Sequence, residues 1–295
     1  MTEILGVPTQ ALFGQLLIGL INGSFYALLS LGLAVIFGLL NIINFTHGAQ
    51  YMLGAFCAYL LLNKAGVGYW WALAIVPLLV GAFGALIERT MLKQLYKLDH
   101  LYGLLLTFGL ALIIQGLFRN EYGSSGQPYP IPAELQGGRN LGFMFLPIYR
   151  GWVILASLVV CLGTWFVIEK TKLGSYLRAA TENPQLVQAF GINVPRMITL
   201  TYAFGVALAA FAGVMAAPIY QVSPQMGADL IIVVFAVVVI GGMGSILGSV
   251  VTGFGLGIIE GLTKVFYPEA SNTVIFIIMA VVLLIRPAGL FGAQK

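Results

Sequence analysis

Apolar runs, most of them close to the length of one membrane crossing, recur from one end of this chain to the other. They occupy approximately residues 11–40, 48–62, 69–92, 101–118, 152–168, 197–217, 228–262 and 273–287. A helix needs about 20 apolar residues to cross roughly 30 Å of hydrocarbon, where its backbone groups must find partners within the segment itself. Hydrophobic residues make up 60% of the 295 and charged residues 8%, against roughly 45–50% and about 25% in an ordinary soluble domain. The alternating segments of about ten residues that mark a membrane β-barrel do not occur. The fold class is therefore read as all-α, a polytopic bundle of transmembrane helices.

The first and seventh runs are too long for one simple crossing, since at 1.5 Å per residue they reach roughly 45 Å or more. Both contain breakers: Gly32 and Gly38 in the first, and "GGMGS" at 241–245 in the seventh. This predicts eight to ten spans, with ten favoured. Lys and Arg accumulate in short cytoplasmic loops. Three basic clusters, at Arg89, Lys93 and Lys97, at Lys170, Lys172, Arg178 and Arg196, and at Arg286 and Lys295, share one side if 228–262 crosses twice. The Gly- and Pro-rich segment 119–151 then faces outward, and 169–196 is a cytoplasmic loop. A break in the first run puts the N-terminus inside; an unbroken run puts it outside. No polar stretch is long enough for a separate soluble domain, so residues 1–295 are read as one transmembrane domain. The two glycine-broken runs are compatible with an inverted repeat, but no residue-level match supports one.

Several chemistries are missing. No GxxxxGK[ST] phosphate loop and no HExxH occur, and His47 and His100 are the only histidines. Cys57 and Cys161 lie in separate apolar runs and indicate neither a disulfide framework nor a metal site. "GSSG" at 123–126 is a linker rather than a nucleophile turn. "MTEILGVPTQ" has no basic residue ahead of the first apolar run, so no cleaved signal peptide is expected. The net charge of +4 reflects basic loops at a lipid bilayer and no nucleic-acid partner. Glu88 and Arg89, Asp229 and Glu260 fall near span ends and read as interfacial or helix-end charges. That disfavours an ion-driven carrier, which needs ionisable groups within the membrane.

One loop is unlike the rest. "RAATENPQLVQAFGINVPR" at 178–196 is polar and punctuated. Asn183 can cap free backbone N–H groups, Pro184 suits the first helical position, and Gly191 suits the left-handed residue that ends a helix. Upstream, "SYLRAATE" reads as another short helix carrying Arg178, Ala179, Ala180 and Glu182. Either this is an interfacial helix resting Leu186, Val187 and Phe190 on lipid or on its own bundle, or it docks into a groove on a soluble partner. The early spans also concentrate polar residues: Asn22, Ser24, Tyr26, Ser30, Asn41, Asn44, Thr46, His47 and Gln50. Such side chains face other helices rather than lipid. They serve either as interhelical bonds around a break near 44–48 or, together, as a polar wall for a solute. Gly241, Gly242 and Gly244 serve either close packing or a hinge.

With that loop, "GLINGSFYALLSLGLAVIFGLLNIINFTHGAQYMLGAF" at 19–56 and "VVVIGGMGSILGSVVTGFGLGIIEGL" at 237–262, the chain resembles LivH-type permeases of the branched-chain amino acid ABC importers. Asn44, Phe45, His47 and Gly48 match that family's Asn-Phe-x-His-Gly turn, and 182–196 resembles its coupling loop. The likeness runs from about residue 9 to 292. It implies a non-enzymatic permease subunit translocating amino acids, branched-chain ones above all, across a bacterial inner membrane. The implied partners are a second related permease subunit in a heterodimer, two ATPase subunits that carry ATP and Mg, and a periplasmic solute-binding protein. This chain itself would bind no cofactor and no metal. Arg178, Ala179, Ala180, Glu182, Asn183, Pro184 and Gly191 become the coupling segment; Asn22, Tyr26, Asn41, Asn44, His47 and Gln50 become the path. Ala179 and Ala180 stand further from Gly191 than the general coupling pattern asks. The alternatives are a self-contained secondary carrier or channel for a small polar solute such as urea or an amide, and an intramembrane hydrolase, for which histidines are scarce.

Overall fold

A computed structural model of the chain describes residues 3, 4, 6–40 and 44–292. Its main helices are α1 (Thr9–Leu40), α2 (Thr46–Ala65), α3 (Tyr69–Ile87), α4 (His100–Tyr122), α5 (Ile148–Lys170), α6 (Lys172–Glu182), α7 (Pro184–Ala189), α8 (Val194–Ala216), α9 (Met226–Gly241), α10 (Ile246–Phe266) and α11 (Val274–Ile285). A π turn at Glu88–Leu92 and the short helix Lys93–Leu95 extend α3. Two small antiparallel pairs, Glu3–Ile4 with Val7–Pro8 and Gly138–Asn140 with Phe145–Pro147, are the named strands among the described residues. By length and composition, the helical runs Thr9–Gly38, Tyr69–Leu95, His100–Tyr122, Ile148–Lys170, Val194–Ala216 and Ile246–Phe266 can each cross a membrane, and α9 and α11 are shorter apolar helices. The protein is an all-α, multi-pass membrane protein.

The two over-long apolar runs behave differently. The seventh breaks where expected: α9 ends at Gly241, Gly242 (φ 99°) and Gly244 (φ 85°) turn the chain, and the Ser245 hydroxyl accepts from Gly248 N at 3.1 Å to cap α10. The first does not break at Gly32 or Gly38, and α1 is continuous to Leu40. Gly32 serves proximity instead of a turn, since a Cβ there would lie 2.8 Å from the Gly205 carbonyl oxygen and 3.0 Å from His47 Cε1. A glycine that lets another backbone approach is compatible with uninterrupted helix.

The chain forms two compact units, each drawing on distant parts of the sequence. One comprises Met1–Ser30, Ile131–Leu162 and Val233–Lys295; the other comprises Leu31–Pro130 and Gly163–Ile232. In the first, the early part of α1 crosses α10 backbone against backbone. Gly19 and Gly23 meet Gly253, Gly257 and Gly261, so that a Cβ on Gly257 would overlap the Gly19 carbonyl oxygen and the Gly23 backbone. Small residues spaced by four on each helix permit this, and dispersion at short range is what joins helices in lipid. In the second unit α2, α3 and α8 pack together: Gly54 lies on Ala210, Gly213 on Tyr51, Gly81 on Ala203 and Gly84 on Val206.

The α1–α10 crossing predicts a position-specific response. Gly257→Val should destabilise by about 1–3 kcal/mol through overpacking, whereas Gly255→Ala, where an added Cβ meets nothing within 4 Å, should leave stability unchanged or slightly raised. Thermal unfolding of the detergent-purified variants reads the contrast; equal midpoints would refute the close crossing.

Candidate functional site

The segment after α5 is ordered by local hydrogen bonds. The Asn183 side chain accepts from Leu186 N at 3.0 Å to cap α7, Pro184 occupies the first turn, and Gly191 takes φ 82° just beyond the helix end. Asn193 repeats the device at α8, accepting from Arg196 N at 3.0 Å. Ala180, Val187 and Val194 form a small buried cluster supported by Ile192, Met197 and Ile198. Arg178 reaches back to the end of α5, 3.5 Å from Glu169 and donating to the Ile168 carbonyl at 3.2 Å. Of the three apolar residues on α7 and its end, only Val187 is buried; Leu186 is exposed and Phe190 is 78% exposed. Ala179, Glu182, Pro184 and Gly191 are also exposed, and Ala180 is buried.

Just beyond this segment, α8 is tied to the end of α3. Thr199, in the second turn of α8, donates to one oxygen of Glu88 at 2.6 Å, and the Tyr96 hydroxyl donates to the other at 2.5 Å. Glu88 directly follows α3, at the helix end expected for it, and is 1% exposed; its partners, 8 and 111 residues away, make that burial affordable. Burial, with the Glu88 carboxylate beside it, pushes the Tyr96 phenol well above its ordinary range. The hydroxyl therefore stays a donor. Asp229, by contrast, is exposed in the first turn of α9, as a helix-end charge should be.

The candidate path residues fall into two groups, one in each unit. Asn22 and Tyr26 converge on Glu260, the tyrosine hydroxyl donating at 2.7 Å to one carboxylate oxygen and the asparagine amide donating at 3.2 Å to the other. Lys264, one turn on, donates to the same oxygen as Asn22. Glu260 lies in the last two turns of α10, near the helix end as expected, and is 5% exposed. In the other unit, Asn44 donates to Gln50 at 3.3 Å, and Gln50 donates to the Tyr202 hydroxyl at 3.4 Å. The carbonyl oxygen of the Asn44 side chain is buried and accepts no hydrogen bond from the protein. His47 is buried with its ring against Gly32. The entry to α2 is pinned to α4 by Thr46, which donates to the Thr107 carbonyl at 2.8 Å, and by Phe45 N, which donates to the Thr107 hydroxyl at 3.3 Å. Asn41 lies outside the described residues. Gly241 packs on Gly248, and Gly242 and Gly244 form the α9–α10 turn.

Chemically, both groups offer hydrogen-bonding side chains in an apolar surround, one of them around a carboxylate. Among the described residues no cluster of three His, Cys, Asp or Glu could hold a metal. Sequence reasoning missed Glu260 and Tyr202 as members of these groups, and it missed the Glu88–Thr199 bond that ties α3 to α8. The signal for Glu260 was its company, since "GLGIIEGLTK" places an acid in a glycine-spaced helix with Lys four residues on.

A family model described as the permease component of a branched-chain amino acid transport system matches residues 15–283. The high-affinity branched-chain amino acid transport system permease protein BraD of Pseudomonas aeruginosa is 30% identical, covering 95% of this chain and 96% of that protein. The corresponding LivH of Escherichia coli strain K12 is 28% identical, with the same coverage. LivM of that strain, another permease protein of the high-affinity system, is 28% identical over 92% of this chain and 68% of its own length. No solved structure matches.

The Glu88 contacts predict that Thr199→Val, nearly isosteric, costs about 1–3 kcal/mol by leaving a buried carboxylate oxygen unmet. Thr201→Val, on a hydroxyl that donates only to the Met197 carbonyl of its own helix, should cost less. Chemical denaturation of the purified variants compares the two, and equal losses would remove the special standing of Glu88.

Proposed function

Because the chain belongs to the family of branched-chain amino acid transport system permease components, we propose that it is one membrane-spanning subunit of an ATP-driven importer of leucine, isoleucine and valine. It pairs with a second related permease subunit, receives solute from a periplasmic binding protein, and is driven by two ATPase subunits that hold ATP and Mg. The membrane is the bacterial inner membrane.

The observation that carries the coupling role is the segment 178–191: two short helices fixed by caps and a small core, yet presenting Leu186 and Phe190 outward. Rigid apolar knobs on an ordered mount suit docking to a groove. An element that merely rested on its own bundle would turn them inward. The proposed contact is Leu186 and Phe190 on the capped helix, with Ala179 and Glu182 on the adjoining exposed surface. Asn183, Pro184 and Gly191 fix its shape, Ala180 belongs to its core, and Arg178 ties it to α5.

The proposed arrangement has nine crossings, α1 to α5 and α8 to α11, which adds α2 and the shorter α9 and α11 to the six helices long and apolar enough to cross. An unbroken α1 then puts the N-terminus outside, 119–151 outside and 169–196 in the cytoplasm. Two contacts support this arrangement. Gln127 and Val222 form a β-bridge between the segment 119–151 and the loop before α9. Arg89, Lys93 and Lys97 line one cleft with Arg196, which joins two basic clusters on one side. The proposed path residues are Asn22, Tyr26, Asn41, Asn44, His47 and Gln50. The unmet Asn44 oxygen is an acceptor suited to a solute ammonium group.

The test is uptake by the reconstituted transporter. Phe190→Asp with Leu186→Asp should weaken ATPase association by about 2 kcal/mol or more and abolish ATP-dependent uptake while the permease pair still purifies intact. Undiminished uptake would overturn the coupling assignment, and uptake by the permease chains alone, without ATPase or ATP, would overturn the importer reading.

A further inference from the structure

The second unit contains a cleft of about 700 Å³ between the cytoplasmic extension of α3 and the start of α8. Arg89, Lys93 and Lys97, spaced by four, project from one wall, and Arg196 comes from the other. All four are exposed, and none makes an ion pair among the described residues, where the pairs are Arg178–Glu169 and Lys264–Glu260. The one acid lining the cleft is Glu88, whose oxygens are taken by Thr199 and Tyr96. The cleft is therefore a concentration of uncompensated positive charge.

Directly beyond it the same two helices become apolar. On α8, Leu200 and Phe204 continue the stripe of Arg196 at intervals of four, and both are exposed, Leu200 by 62%. On α3, Leu78, Ala82 and Ala85 continue the stripe of Arg89, with Leu78 74% exposed. Between the stripes the two helices approach closely, with Gly81 against Ala203 and Ala207. A cationic pocket opening into an apolar groove matches an amphiphile with an anionic head and hydrocarbon tails. A soluble acidic peptide would leave the groove unused.

The geometry points to a binding site for one anionic phospholipid, its phosphate held by Arg89, Lys93, Lys97 and Arg196 and an acyl chain lying between α3 and α8. Arginine and lysine at a membrane surface each add attraction for anionic headgroups, and basic pockets between helices capture them. Because Arg196 begins the helix that follows the coupling segment, a lipid held there braces α8 and α3 at the end where the segment joins them. The assignment needs only that the chain is a membrane protein and does not rest on the proposed solute or energy source.

The experiment uses the complete purified transporter containing this chain. Native mass spectrometry after exchange into nanodiscs of equal phosphatidylglycerol and phosphatidylcholine should find phosphatidylglycerol retained. Arg89→Gln with Lys93→Gln and Arg196→Gln should reduce that retention by at least about tenfold. A photoactivatable phosphatidylglycerol, tested on the unaltered protein, should label peptides within 89–97 and 196–204. Equal retention of phosphatidylcholine, labelling elsewhere, a cleft occupied by a partner subunit in cross-linking, or protection by inorganic phosphate alone would each overturn the site.

Discussion

Helices dissolved in hydrocarbon gain no hydrophobic energy by touching one another, so contact must come from dispersion and hydrogen bonds at very short range. That constraint shapes both units. Where α1 crosses α10, and where α2 and α3 cross α8, glycine or alanine faces a neighbouring backbone. Side chains of ordinary size would hold the helices apart and forfeit much of the attraction. Once the backbones are close, the few polar side chains between them have partners within reach.

The two buried carboxylates depend on that closeness. A lone carboxylate in such a setting would be neutral or excluded, yet Glu260 gathers three donors and Glu88 two hydroxyl donors. Tyr26 and Asn22 reach Glu260 because α1 and α10 cross on glycines, and Thr199 reaches Glu88 because α3 and α8 meet at Gly81 and Gly84. Both acids keep the span-end positions that weigh against an ion-driven carrier, Glu88 directly after α3 and Glu260 in the last two turns of α10, and their burial is among protein donors. The preference for an importer subunit rests on family membership and on the outward-facing coupling segment.

How much of this was readable in sequence follows the range of the interactions. Asn183, Pro184 and Gly191 announce a capped helix because capping is decided within four residues, and the structure has those bonds. The break at 241–245 was legible for the same reason. Gly32 was misread as a breaker because one glycine can serve a turn or a crossing, and only the partner, here Gly205, tells which. The span-end positions of Glu88 and Glu260 were legible, but their burial was not, because the residues that shelter them lie 111 and 234 positions away. The polar cluster of the early spans was visible as a set, but its division between Glu260 and the Gln50–Tyr202 pair depends on tertiary contacts.

In the proposed mechanism a partner pushes on α7, and the question is how far the push travels before it is absorbed. Val187 and Val194 share a packed cluster, so displacing α7 loads the start of α8. The cap at Asn193 keeps that first turn helical, and a helix transmits displacement along its axis with little compression. One turn later Thr199 is bonded to Glu88 on the π turn of α3. The π turn interrupts the α-helical bond pattern of α3, which makes it the proposed place for α3 to yield while its glycine contacts to α8 hold. The buried carboxylate thus sits where a stiff input meets a compliant element, and two short hydrogen bonds with almost no solvent to replace them make a joint that moves as one piece.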